Sequence, residues 1–230
     1  MNDTEPLPAS DMTARVLILI ASIVGASGVF VLRRQLLMAL PACTAGHWNL
    51  CFGTFNGVGL VTLVGLPIAV LTAFALTHHR RKAGIPSARR LSVAEVGMVY
   101  GTLPWVWITM LPGSGAGVVQ GRVSLVPFRD LATMDAGQVI GNLLLLAALG
   151  FFAPVRFRAL ASLPRMLALG AACSLLIEVA QYVLMLDRVS SVDDVLLNTA
   201  GVGLAALASR PWWRIRRAVG SLPPALAVPR

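Results

Sequence analysis

Apolar residues in this chain run together rather than alternating or repeating on one helical face. Six runs stand out, at residues 14–32, 57–77, 92–111, 137–155, 167–186 and 195–209. A helix needs about 20 apolar residues to cross a hydrocarbon core of about 30 Å, and these runs are of that order. The pattern predicts an all-α fold, a polytopic transmembrane helix bundle of about six spans. Residues 1–13 then form a polar N-terminal tail, residues 14–112 hold the first three spans, residues 113–209 the last three, and residues 210–230 a basic, Pro-rich tail. The first run lacks the basic start of a cleaved signal peptide and Arg33-Arg34 follows it directly, so an uncleaved anchor is expected. Residues 35–56 read as a loop, and Pro67 and Pro104 predict kinks in spans two and three.

Polar residues interrupt the runs at few places. Glu178 lies well inside the fifth run. An ionisable side chain at that depth is costly unless it faces protein or water, so a functional role is the default reading. Ser174 and Gln181, four residues before it and three after, share its helix face. Asn142 and Asn198 fall near the starts of spans four and six, and Arg188, Asp193 and Asp194 occupy the turn between spans five and six. If both termini are cytoplasmic, 14 of the 19 Lys and Arg lie on the inner side, as the positive-inside rule requires. Asp130, Asp135, Asp187, Asp193 and Asp194 then lie outside, and the intramembrane polar groups fall in the outer half. The expected ligand-binding set is Asn142, Ser174, Glu178, Gln181, Arg188, Asp193, Asp194 and Asn198, with Glu178 the one candidate catalytic group. The plainer alternative is helix glue, since Asn, Gln and Ser often only join helices through hydrogen bonds of roughly 1 kcal/mol. Gly170 with Ser174, and Gly201 with Ala205, are spaced for close helix contact and suit that alternative. Asp193 can likewise be a helix cap and Asp194 a partner for Arg188.

Composition agrees with the pattern. Hydrophobic residues make up 57%, mean hydropathy is +0.77, and 13% of residues are charged, where a soluble domain carries about 25%. The net charge of +9 comes from arginine clusters between spans, which suit anionic lipid rather than nucleic acid. No His or Cys spacing suggests a metal site, and no cofactor is expected. The glycine-rich segment 113–117 lacks the Lys-Ser/Thr ending of a phosphate cradle and reads as flexible. Ser174 has no His partner in its span and no Gly-x-Ser-x-Gly elbow is present, which argues against serine hydrolysis. Cys43 and Cys51 lie eight positions apart in the first outer loop and are expected to be able to pair.

Several short strings taken in order carry a resemblance. They are Val126-Pro127-Phe128, Gly141-Asn142-Leu143, Leu149-Gly150-Phe151, Ser174-Leu175-Leu176-Ile177-Glu178, Gln181, Arg188, Asp193-Asp194 and Asn198-Thr199-Ala200-Gly201. Between residues 124 and 207 the chain resembles the VanZ-like family of bacterial membrane proteins, so 113–209 reads as a VanZ-like domain. Members often carry an acidic residue where Ser191 stands and Pro-Gly where Leu186-Asp187 stands. The resemblance implies a multi-pass protein of the bacterial plasma membrane and cell envelope, of a family named for resistance to the lipoglycopeptide teicoplanin. Three readings stay open. A non-enzymatic protein would bind a lipoglycopeptide or a lipid-linked cell-wall precursor through an outward-facing polar pocket. An intramembrane enzyme would modify such a lipid, with Glu178 as acid or base and Arg188 on phosphate. A small transporter ranks last, because no inverted repeat or paired broken helices are visible.

Overall fold

The computed structural model describes Ser27, Phe30, Arg33 and residues 37–220, with side-chain surroundings as far as residue 213. The expected first span at 14–32 lies outside the described residues, Ser27 and Phe30 apart. The chain divides into two units, residues 1–60 and 61–230. In the first, residues 37–44 are helical, α1 spans Trp48–Phe52, and Cys43 and Cys51 form a disulfide with Cα atoms 4.9 Å apart. The stretch expected as a loop at 35–56 is therefore largely helical. Local bonds hold the turn, among them His47 N–H to the Ala42 carbonyl at 2.9 Å, and Trp48 stacks on Phe52 at 5.7 Å.

Helix α2 (Phe55–Lys82) carries Pro67 and leads to α3 (Ala88–Thr109), which carries Pro104. A short strand β1 (Arg122–Ser124) precedes α4 (Ala136–Leu145) and α5 (Ala147–Arg156). A 3₁₀ turn over Arg158–Leu160 joins these to α6 (Leu163–Val183), strand β2 (Val189–Ser191) and α7 (Val192–Gly220). Among the described residues, five helical stretches are long and apolar enough to cross a membrane: Phe55–Lys82, Ala88–Thr109, Ala136–Arg156, Leu163–Val183 and Val192–Trp213. They cover expected spans two to six, and the fold is a multi-pass helical bundle.

Two boundaries differ from the sequence reading. The fourth span breaks at Leu146, between α4 and α5. Leu145 and Leu146 are both buried, and consecutive residues of an unbroken helix point about 100° apart, so the break turns both inward. The sixth span does not end at 209, because α7 continues through Pro211 to Gly220. Trp213 is buried in the core and its indole N–H donates to Ser209 Oγ at 2.9 Å, which draws the helix onward.

The hub is α7, which packs against α4, α5 and α6. Its contacts are backbone-close because small residues face it. A Cβ on Gly150 would lie 2.6 Å from the Val202 carbonyl oxygen, and one on Gly201 would lie 2.0 Å from that of Leu143. Gly170 and Gly201 thus sit at close helix contacts, as small residues do in membrane bundles. At one end of the bundle Glu95 of α3 binds Arg80 of α2 and Arg156 of α5. At the other end, β1 and β2 pair in parallel, with Val123 opposite Ser190 and Ser124 opposite Ser191. That pairing ties the 112–135 segment to the turn between α6 and α7.

Candidate functional site

Glu178, on the last turns of α6, is 7% exposed. Its Oε2 accepts the Ser191 backbone N–H at 3.1 Å, and its backbone carbonyl accepts Ser190 Oγ at 3.0 Å. Strand β2 therefore runs across the end of α6 with its polar edge on the carboxylate. Ser191 does more than donate to Glu178. Its Oγ donates to Asp130 Oδ2 at 2.5 Å and accepts the Asp193 N–H at 3.1 Å, which caps the start of α7. The hydroxyls of Ser124 and Ser191 beside Asp130 hold its carboxyl below the usual carboxylate range.

The eight residues expected at the site fall into three groups by what they touch. Asn198 Nδ2 donates to Ser174 Oγ at 2.8 Å, and both are buried between α6 and α7. This is the helix-joining bond that the plainer alternative anticipates. Gln181, Arg188 and Asp193 pin the loops. Gln181 Nε2 donates to the Thr109 carbonyl at 2.9 Å, and Arg188 Nε and Nη2 donate to the Leu111 carbonyl at 3.3 and 3.2 Å. Asp193 accepts three backbone N–H groups, from Phe128, Asp130 and Leu131, at 2.6, 2.9 and 3.0 Å. Phe128 takes a left-handed φ of 64° to present its N–H, a conformation costly for a bulky residue. Asp193 is thus not the cap of its own helix, which Ser191 supplies. The third group is Glu178, Asp194 and Asn142. Asn142 Nδ2 donates to Asp194 Oδ1, while Asp194 and Arg188 are the charged neighbours of Glu178. Asp194 meets Asn142 in place of an ion pair with Arg188.

The segment expected to be flexible is docked. Gly113 N–H donates to the Leu186 carbonyl and Gly117 N–H to that of Met185, both at 2.9 Å, and Gly115 N–H reaches Asp187 Oδ2 at 2.8 Å. Gly117, at φ 77°, suits a left-handed turn that a side chain would strain. On the outward face of α6 a pocket of about 300 Å³ has Glu178, Ser190 and Ser191 at its base. Val123, Leu125, Leu175, Val179, Tyr182 and Val195 form its walls. The arrangement combines one carboxylate, hydroxyls and an apolar slot of a size found in small-molecule sites. Sequence reasoning missed Asp130, Ser190 and Ser191. Their role depends on a parallel strand pair between residues more than 60 positions apart, for which a linear pattern carries no signal.

The family model for VanZ/LLP1 matches residues 98–214. No curated protein and no solved structure matches the chain. The family match takes in half of the chain and every residue of the carboxylate cluster, from Thr109 through Asp194, and the chain belongs to the VanZ/LLP1 family.

Proposed function

We propose that this membrane protein binds an amphiphile non-enzymatically, with the head on Glu178, Asp194, Asn142 and Arg188 and the acyl chain in the adjacent apolar slot. The observation that carries the reading is the union of Glu178 with a slot of about 300 Å³ whose walls are aliphatic apart from Tyr182. A headgroup with amide or hydroxyl donors can reach the carboxylates, while its chain lies between α6 and β1. Arg188 is exposed at the rim and complements an acidic group on the same ligand. A lipoglycopeptide such as teicoplanin, or a lipid-linked cell-wall precursor, has this chemistry. In this reading the site opens to the outer face of a bacterial plasma membrane, with both termini inside, as the Lys and Arg distribution favours.

The test is growth inhibition of a susceptible bacterium expressing the full chain. Wild type should raise the inhibitory concentration of teicoplanin and leave that of a glycopeptide without an acyl chain unchanged. Glu178→Gln and Asp194→Asn, at equal membrane abundance, should remove the protection. Full protection by both variants refutes the reading. One observation favours catalysis instead: two carboxylates, Glu178 and Asp194, are electrostatic neighbours, the pairing that supplies an acid and a base. A new product from labelled lipid-linked precursor, lost in Glu178→Gln, would select that reading.

A further inference from the structure

The opposite end of the bundle carries a second cavity whose chemistry is the reverse of the first. Between Asp11 and Asp130 the sequence holds a single acidic residue, Glu95, and beyond Asp194 it holds none. Glu95 is engaged by Arg80 and Arg156. Three further arginines, Arg81, Arg89 and Arg90, line a cleft of about 580 Å³ at the junction of α2 and α3. Trp212 of α7 forms another wall, and its backbone carbonyl accepts Arg90 Nη2, which holds that guanidinium at the cleft. Ser87 precedes α3 with its hydroxyl making no capping bond. The cleft lies at the N-terminal end of α3, whereas Gln181 of the carboxylate site bonds to Thr109 at the far end. A helix of 22 residues places the two sites about 33 Å apart.

We propose that this cleft binds the phosphate headgroup of an anionic phospholipid. Three guanidinium groups without a local carboxylate call for an anion, and phosphate suits their planar, forked donors. The helix N-terminus adds partial positive charge in the same direction. A lipid is favoured over a soluble anion by what surrounds the arginines. Ile85 and Val93 line the same cleft and are 41% and 43% exposed, and Trp212 is 43% exposed. They give the glycerol and upper acyl region an apolar contact at the depth where tryptophan prefers to sit. Both α3 and α7 are among the membrane-crossing helices, so the cleft opens at headgroup level. Basic pockets between spanning helices are recurrent headgroup sites.

The test uses the full chain in detergent, titrated with phosphatidylglycerol or phosphatidylcholine of identical acyl chains and read by native mass spectrometry. Wild type should retain phosphatidylglycerol adducts preferentially, with the preference falling as salt rises. Arg89→Gln should weaken that retention about fivefold, from the roughly 1 kcal/mol that one basic residue contributes near a membrane surface. Arg81→Gln, Arg89→Gln and Arg90→Gln together should bring it to the phosphatidylcholine level, while Arg158→Gln, outside the cleft, should change nothing. Equal retention of the two lipids by wild type overturns the proposal, and this comparison holds even if the triple variant fails to fold. Displacement of the lipid by millimolar inorganic phosphate at constant ionic strength would identify a soluble-anion site and overturn it also. So would displacement by a short oligonucleotide.

Discussion

Asp193→Ala should release the loop around residues 128–131 while leaving the helices inserted. The Asp193 side chain is 1% exposed and its carboxylate accepts N–H groups from Phe128, Asp130 and Leu131. A hydrogen bond to a charged group is worth about 1.5–3 kcal/mol, so three sum to several times the stability of a typical surface loop. The released N–H groups do not all stay dry, because Phe128 is 67% exposed and that stretch can turn to water. What remains is the cost of the best-buried bonds, about 3 kcal/mol, or about a hundredfold in the local opening constant. Asp193→Asn keeps one acceptor oxygen and should fall between, near tenfold. Hydrogen exchange of the full chain in nanodiscs reads this directly, through the amides of Phe128, Asp130 and Leu131. Phe128 should respond most, since its left-handed backbone has no other support among the bonds described. If the three amides exchange within threefold of wild type in Asp193→Ala, the loop is held by something else and the account of Asp193 is wrong.

Three further outcomes follow from the same geometry. Gly201→Ala forces a Cβ against the Leu143 carbonyl and should lower stability in detergent by about 1–3 kcal/mol, measured as a fall in thermal midpoint; Gly141→Ala, where a Cβ meets nothing within 4 Å, should be neutral or slightly stabilising, and equal effects would sink the packing argument. The pKa of Asp130 is lowered in the folded chain, so its contribution is full above the ordinary carboxylate pKa of about 3.9 and is lost as pH falls through the folded value. Exchange in the 122–131 loop should accordingly rise only on acidification below about pH 4, an effect that Asp130→Asn should erase. Cys43 and Cys51 should resist thiol labelling until reductant is added, whereas Cys173, half-buried and free, should label to the same extent either way.

Much of this protein is written in its apolar runs. A run of about 20 residues must become a helix in lipid, because no other single segment can satisfy its own backbone there. That is why spans two, three and five were legible to within a few residues, and why the small residues Gly170 and Gly201 could be read as contacts before any contact was seen. Glu178 was legible for a related reason, since a carboxyl inside such a run needs a partner. What that partner is lay beyond the linear pattern. Glu178 is met by Ser191, and Ser191 is placed by a three-residue parallel strand whose mate is Arg122–Ser124. Short strands and left-handed residues such as Phe128 and Asp187 have no periodicity of their own; they exist because bonds from far along the chain hold them. The division of labour among the eight polar residues was settled in the same way. Residue type marked Gln181, Arg188 and Asp193 as polar groups in need of partners. Tertiary structure made them anchors for loops 60 to 80 positions away and left Glu178, Asp194 and Asn142 around the apolar slot, because which acceptor a buried donor finds is decided by how helices pack, and not by its place in the sequence.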